Sequence, residues 1–307
     1  MKFNILSPEE ENVILDKNIE IPYTGKYEDF YRDGCYICKR CGAYLYNSKD
    51  KFDAHCGWPS FDDAVLGAIK TKLDPLDFRK EILCNRCGAH LGHVFDNENL
   101  TPKNTRHCVN SISMKFLPTE ENTDKSGLAY FGGGCFWCLE AAYKMLKGVI
   151  SVSSGYSGGR VMVGDKKPSY EEVSTGNTGY AEMVMIKFDK SIISFEALLE
   201  VFFVVHDPTT LNKQGNDIGK QYRSLILYQN DLQKELTETF IKQLEKEKVF
   251  TNMIVTEVKP LIIFYPAEDY HHDFYDRNPA NTYCQSVVAP KLSKLRDHFK
   301  SYLKPQI

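Results

Sequence analysis

Three groups of cysteines define the chemistry open to this chain. The first centres on Cys135, within Gly133-Gly134-Cys135-Phe136-Trp137-Cys138 at the predicted start of a helix. A thiol there faces free backbone N–H groups and the positive end of the helix dipole, which favour a thiolate. Phe136 and Trp137 cannot both turn inward, and they can wall a methyl-sized slot beside the sulfur. The second is Cys108, on a predicted strand between Arg106 and Asn110, which share its face by the two-residue period. Arg106 can lower the pKa of that thiol. The third comprises Cys38-x-x-Cys41 and Cys84-x-x-Cys87, each followed by a glycine, Gly42 and Gly88. Two such knuckles offer four thiolates, the ligand set of a tetrahedral zinc site. A site closed by four cysteines has no open position, so one structural Zn2+ per chain is expected, without a catalytic role.

The surroundings of Cys108 come from several segments. His90 and His93 lie in Cys87-Gly88-Ala89-His90-Leu91-Gly92-His93, just past the second knuckle, where a zinc would anchor the hairpin and so position both imidazoles. Gly57-Trp58-Pro59-Ser60-Phe61 supplies an aromatic wall, and Cys56 precedes it as a possible disulfide partner. Cys35 competes for that role. Singly, each of these residues is more commonly structural; their combination points to a site.

The elements that must hold these groups fall into two halves. Leu117 to Gly127 is polar and charged and ends in glycine, so it reads as a linker; the expected division is 1–117, linker 118–127, and 128–307. The first half is predicted β-rich, with short strands at 42–46, 91–95 and 109–116. The second alternates strand and helix: strands at 128–131, 181–188, 224–228 and 255–264, and helices from Leu139, over 194–205 and over 231–248. This pattern suggests an α+β sheet with flanking helices. The length of 307 residues, with 42% apolar, suits two domains of ordinary size. A net charge of −3 without a basic stripe argues against nucleic acid, and no stretch approaches a membrane span. Ten cysteines, four of them in knuckles, favour metal and catalysis in a reducing compartment, and the cytoplasm is the expected one.

Together the motifs of the first half resemble methionine sulfoxide reductase of the B type. The resemblance runs from about Glu20 to Phe116 and takes in both knuckles, Cys56-Gly57-Trp58-Pro59-Ser60-Phe61, His90-Leu91-Gly92-His93-Val94-Phe95 and Arg106-His107-Cys108-Val109-Asn110-Ser111. It implies a fold of antiparallel sheets with a distal zinc. It also implies Cys108 as nucleophile, Cys56 as resolving cysteine, and Trp58, His90, His93, Arg106 and Asn110 around the substrate. His107 stands where the family usually has an aromatic residue.

The second half resembles methionine sulfoxide reductase of the A type over residues 128 to about 297. Gly-Gly-Cys-Phe-Trp is joined by Gly155-Tyr156-Ser157-Gly158-Gly159, Pro168-Ser169-Tyr170, Gly179-Tyr180-Ala181-Glu182, His206-Asp207-Pro208-Thr209, Asn216-Asp217, Gln221-Tyr222-Arg223-Ser224 and Tyr283-Cys284. The resemblance implies a mixed sheet with flanking helices and a ferredoxin-like core. It implies Cys135 as nucleophile and Glu182 as acid. It further implies that Phe136 and Trp137 bind substrate, that Tyr170, Asp217 and Tyr222 hold the sulfoxide oxygen, and that Cys284 resolves. Cys138 reads as a bystander.

The implied activity is reduction of methionine sulfoxide, free or in proteins, the B half taking the R epimer and the A half the S epimer. Thiolate attack on sulfur leaves a sulfenic acid, a second thiol condenses with it, and an external dithiol, thioredoxin, resets the disulfide. Two rivals remain at this level: a zinc module fused to a redox sensor, and a thiol peroxidase. A sensor needs neither an acid nor an oxygen clamp.

Overall fold

The computed structural model describes residues 3–73, 79–119, 125–160 and 167–305. The core of the expected linker, residues 120–124, lies outside the described residues. The chain divides into two compact units, Met1–Lys125 with Lys190–Ser194, and Ser126–Asp189 with Phe195–Ile307.

The first unit opens with α1 (Pro8–Ile14), started by a capping box in which Ser7 and Glu10 each accept from the other's backbone N–H. Its strands are β1 (Gly34–Cys38), β2 (Tyr44–Asn47), β3 (Lys51–Phe52), β4 (Ser60–Phe61), β5 (Ile69–Leu73), β6 (Lys80–Cys84), β7 (His90–Asp96), β8 (Thr105–Val109) and β9 (Met114–Pro118). They form two antiparallel sheets, β2-β1-β9 and β3-β4-β8-β7-β6-β5. Tyr36, Leu45, Tyr46, Phe61, Ile82 and Leu91 are fully buried in one core, with Phe61 stacked on Tyr46 at 4.4 Å. The alternation over 109–116 suggests one strand, but the structure breaks it. A 3-10 turn at Ser111–Ser113, closed by Ser113 N–H donating to Asn110 O, carries the chain from one sheet to the other. Asn110 therefore stands at the end of β8 and still faces the same cavity as Cys108.

The second unit contains β10 (Ser126–Gly132), α2 (Phe136–Lys144), β11 (Val149–Ser157), α3 (Tyr170–Ser174), β12 (Ala181–Asp189) and α4 (Phe195–Val205). There follow β13 (Lys213–Gln214), β14 (Asp217–Ile218), β15 (Leu225–Tyr228), α5 (Asp231–Lys246), β16 (Glu257–Pro260), β17 (Phe264–Pro266), α6 (Phe274–Arg277) and α7 (Ala289–His298). The main sheet runs β16-β15-β10-β12-β11-β17 and is mixed, since only the β15–β16 pair among its described pairings is parallel. The single strand expected over 255–264 is in fact two, on opposite edges. β16 ends at Pro260, which lacks the N–H to continue a ladder, and β17 crosses to pair with β11. Helix α4 is apolar nearly all round and correspondingly buried. Phe202 packs on Phe131 of β10 at 5.0 Å.

Strand order sets both thiol positions. β10 and β12 are neighbours, and Phe131 pairs with Val184, so the chain leaving Gly132 reaches Cys135 beside Glu182. In the first unit β7 and β8 pair His93 with Cys108. Gly92 makes that pairing possible: its φ is +153°, and a Cβ there would lie 2.0 Å from the Cys108 carbonyl oxygen. Gly92→Ala is therefore expected to push β7 from β8, cost about 1–3 kcal/mol, and lower the urea midpoint of the first unit. An unchanged midpoint would refute this reading of the β7–β8 approach.

Candidate active sites and metal site

The two knuckles are built alike. Gly42 N–H donates to Cys38 O at 2.9 Å and Gly88 N–H to Cys84 O at 2.8 Å; Cys38 and Cys84 N–H donate to Ala43 and Ala89 O. Both glycines have φ near +70°, a conformation the turn requires and L side chains resist. The four Sγ atoms of Cys38, Cys41, Cys84 and Cys87 lie within 4.8 Å of one another. Cys38–Cys87 and Cys41–Cys84 are each 3.7 Å apart, matching the ~3.8 Å edge of a tetrahedron with 2.3 Å zinc–sulfur bonds. The donor set and its shape fit a tetrahedral thiophilic ion.

Strand β8 presents Cys108 to a cavity of about 140 Å³ lined by Ile19, Cys56, Trp58, Arg79, Gly92, His93, Phe95, Arg106 and Asn110. Cys56 Sγ stands 3.9 Å from Cys108 Sγ, whereas Cys35 lies against Asn47 Oδ1 at 3.4 Å. The hydrogen bond with Cys108 holds Cys56 down to about 5, while the same pairing and burial push Cys108 up. The expected lowering of Cys108 by Arg106 is thus outweighed. The guanidinium contributes in that direction, but it is held by two bonds to Glu98, at 2.7 and 2.9 Å, and lies over the Phe95 ring.

Of the expected pocket residues, Trp58, His93, Arg106 and Asn110 line this cavity. His90 stands behind them, its ring 5.5 Å from His93 and its Nδ1 2.8 Å from Glu81 Oε1. Glu81 also accepts from Lys17 at 2.8 Å. Trp58 Nε1–H donates to Glu20 O at 2.9 Å, so the indole offers the cavity its apolar surface. Asn110 Oδ1 accepts from Glu20 N–H. Sequence reasoning missed Glu20, Glu81 and Glu98, which lie beside the motifs but carry no spacing signal of their own. The position of Glu81 at the head of the apolar run Ile82-Leu83-Cys84, on a strand buried from Glu81 onward, is the available signal for Glu81.

In the second unit Cys135 is the N-cap residue of α2, buried, with no side-chain cap bond. The first free N–H of the helix, that of Phe136, instead donates to Glu182 Oε2 at 3.0 Å. This corrects the simple expectation of a dipole-stabilised thiolate: burial first, then the Cys138 thiol and the Glu182 charge, push Cys135 up. Burial likewise raises Glu182 to about 8, against the opposing Phe136 N–H, so the carboxyl carries a proton at neutral pH. Tyr170 is raised to about 12 and Tyr222 also upward, in both cases by burial and then by the Glu182 charge. Asp217 accepts from the Tyr283 hydroxyl at 2.6 Å. Cys284 is buried at the residue after Tyr283, and Cys138 is hydrogen-bonded to Cys135.

Trp137 lies flat on Phe274, with ring centroids 3.7 Å apart, and its Nε1–H donates to His271 Nδ1 at 3.2 Å. His271 is 1% exposed, and burial lowers it to about 4, so it is a neutral acceptor. Its ring also contacts Phe136, Tyr170 and Tyr270. Sequence reasoning missed His271 and Tyr283; Tyr283 was signalled only by its adjacency to Cys284. His206 is structural, buried beneath Gly133 with Nε2 2.8 Å from Ser224 Oγ. Arg223 clamps three carbonyls, those of Gly158, Gly179 and Lys220, and so fixes the backbone around Tyr222.

The family profile "Peptide methionine sulfoxide reductase" matches residues 127–303, and the SelR domain, the B-type reductase domain, matches residues 6–118. The chain belongs to the peptide methionine sulfoxide reductases. It carries a B-type domain ahead of an A-type domain and reduces methionine sulfoxide. Among its relatives, MsrA of Saccharolobus solfataricus is 54% identical over 177 residues, 58% of this chain and 97% of that protein. MsrA of Polynucleobacter asymbioticus is 49% identical over 198 residues, 64% of this chain and 99% of that protein. Reduced Mxr1 of Saccharomyces cerevisiae superposes with a TM-score of 0.49 at 32% identity, covering 53% of this chain and 91% of that one. Membership sets the reductase above the sensor and peroxidase readings. No helix among the described residues is long and apolar enough to cross a membrane.

In this reductase the Trp137–His271 bond is expected to matter for stability. His271→Leu removes the acceptor and is expected to cost on the order of 1–2 kcal/mol, read as a lower thermal midpoint of the A-type domain. An unchanged midpoint would show the bond to be incidental.

Proposed function

We propose that the B-type half reduces the R epimer of methionine sulfoxide and the A-type half the S epimer, each by a thiol cycle of its own. Methionine sulfoxide is chiral at sulfur, so a pocket that aligns sulfur with one thiol and oxygen with one acid accepts one hand only. The observation that carries this reading is the buried, protonated Glu182 against the start of the helix that bears Cys135. Sulfoxide oxygen is a poor leaving group and needs a proton as the thiolate attacks. Glu182 supplies it, and Tyr170, Tyr222 and Asp217 hold the oxygen, with Phe136 and Trp137 around the methyl. Cys135 becomes a sulfenic acid, methionine leaves, and Cys284 supplies the thiol of the disulfide that follows.

In the B-type half Cys108 attacks sulfur while the Cys56 thiolate, 3.9 Å away, takes its proton. His93 gives a proton to the oxygen, with Trp58, Arg106 and Asn110 shaping the pocket and His90, tied to Glu81, fixing His93 from behind. Cys56, now a thiol, condenses with the sulfenic acid and releases water. A thioredoxin-class dithiol resets each disulfide in a reducing, cytoplasmic setting. Cys38, Cys41, Cys84 and Cys87 hold one Zn2+, which fixes the ends of β1 and β6 and takes no part in turnover. The domains are 1–117 and 128–307 with the linker 118–127, the second built on a ferredoxin-like core.

Turnover of the separate epimers of a methionine sulfoxide peptide with dithiothreitol tests the assignment. Cys108→Ser is expected to lose the R epimer only and Cys135→Ser the S epimer only. Loss of both epimers in either variant would overturn it. All four metal ligands lie in the first half, so a strong chelator is expected to release one zinc and abolish R reduction while S reduction persists. Equal loss of both would count against separable halves.

Glu182 also sets a pH dependence. Its folded pKa, about 8, lies above the ordinary 4.5, so its contribution to stability is complete below about 4.5 and is lost as pH rises through about 8. Relative to Glu182→Gln, the wild-type urea midpoint is expected to fall across that window. S-epimer turnover should decline above about pH 8, and Glu182→Gln should lower it on the order of 100-fold without that decline. A pH-independent difference in midpoint would exclude a buried neutral carboxyl.

A further inference from the structure

One buried carboxyl of the A-type domain takes no part in the cycle proposed above. Glu140 sits in the middle of α2 and is 2% exposed, a costly place for an acid unless it is bonded. It follows Trp137 by three residues and Phe136 by four, so it shares their side of the helix, and Lys144 follows by four more. Glu140 Oε2 accepts from the Asp273 N–H at 3.0 Å, and Lys144 Nζ donates to Asp273 Oδ1 and Asp276 Oδ2, each at 2.6 Å. Burial raises Glu140 to about 7 against the Asp273 N–H, the Lys144 charge and Ser154 of β11. His272 Nδ1 lies 3.8 Å from its other oxygen, Oε1.

The turn gripped by Glu140 and Lys144 is the one that places two rings on Trp137. Asp273 has φ +56° and ψ +28°, the left-handed conformation that a residue with a Cβ keeps only where its surroundings fix it. It stands at the start of the four-residue helix α6 and makes no side-chain capping bond to it, so α6 is held from α2. Phe274, next in the chain, lies flat on Trp137 with an interplanar angle of 5°. His271, two residues before Asp273, accepts from the Trp137 Nε1–H and contacts Phe136 and Tyr170. Helix α2 therefore carries both the aromatic pair and the clamp that brings a cover onto it.

We propose that Glu140, seconded by Lys144, is a positioning residue for substrate binding in the A-type site: by holding the Asp273 turn it keeps Phe274 and His271 on Trp137 and so shapes the slot for the methyl group. This rests on the reading of Phe136 and Trp137 as walls of that slot. Glu140 acts through Asp273 and not on the reacting atoms. Its loss weakens the binding of substrate and transition state alike, which raises KM and leaves kcat nearly unchanged. The role needs an acceptor and not a charge, so an amide serves where an alkyl group does not.

The test uses the full chain with Trp58→Phe as parent, which leaves Trp137 as the only tryptophan. It reads S-epimer kinetics, acrylamide quenching of tryptophan emission and the thermal midpoint. Glu140→Leu is expected to raise KM about tenfold with kcat within about twofold, and to make Trp137 emission more readily quenched. Glu140→Gln keeps an acceptor for the Asp273 N–H and is expected to return both values to those of the parent. Lys144→Met is expected to move both in the same direction by less. A lower thermal midpoint in Glu140→Leu with KM and quenching unchanged would overturn the proposal, as would equal effects of Glu140→Leu and Glu140→Gln. If Glu140→Leu does not fold, Lys144→Met decides, and parent-like KM and quenching there would overturn the proposal. A parent that reduces no S epimer would instead remove the A-type reading on which the proposal rests, while quenching in the three variants still shows whether the clamp holds Phe274 on Trp137.

Discussion

Both sites set one thiol in hydrogen-bond contact with a second, so that one proton can serve the pair. A lone thiolate in an apolar pocket is costly to desolvate, and a lone buried thiol is a poor nucleophile. Pairing two sulfurs 3.9 Å apart, as in Cys108 and Cys56, keeps one negative charge and one proton inside the site. The pairing holds Cys56 below the ordinary thiol range and pushes Cys108 above it. Cys135 and Cys138 repeat the arrangement on a helix turn instead of across paired strands. The second unit adds a carboxyl that burial keeps protonated, where the first has imidazole backed by Glu81.

The scaffolds meet this demand by different routes. In the first unit the pairing is a matter of register: β8 sets Cys108 opposite His93 on β7 and Ser60 on β4, and Ser60 Oγ lies 3.4 Å from Cys56 Sγ. The knuckles end β1 and β6, one strand in each sheet, so a metal held there ties together the two sheets that bury Tyr36 and Phe61. In the second unit the site gathers where neighbouring central strands, β10 and β12, deliver Cys135 and Glu182 to the same end of the sheet. Segments far along the chain then close over it, bringing His271 against Trp137 and Tyr283 against Asp217.

Much of this was legible in the residues. The knuckles declared themselves by spacing and trailing glycine, because a tetrahedral thiolate site tolerates few other arrangements. Alternation found β12, and helical spacing found α2 and α5. Two strands were misread for one reason: periodicity records which face a residue shows, not when the chain changes sheets or crosses to another edge. The run at 109–116 hides a 3-10 turn, and the run at 255–264 is cut at Pro260. The charge state of the thiols was also hidden. A helix N-terminus and Arg106 both argue for depressed pKa values, and only tertiary burial and the neighbouring sulfurs reverse that for Cys108 and Cys135. Glu81 and His271 escaped because nothing local ties them to the sites they support.

The most direct test of the shared proton is a pH titration of the reduced chain followed by NMR of labelled cysteine Cβ atoms, with each signal assigned through its Cys→Ser variant. Cys56 is expected to titrate near 5 and Cys138 near 7, with Cys108 and Cys135 well above the ordinary 9. Four thiols titrating together near 9, each unaffected by removal of its neighbour, would show that the sulfurs do not share a proton and that the paired-thiol basis of both sites is wrong.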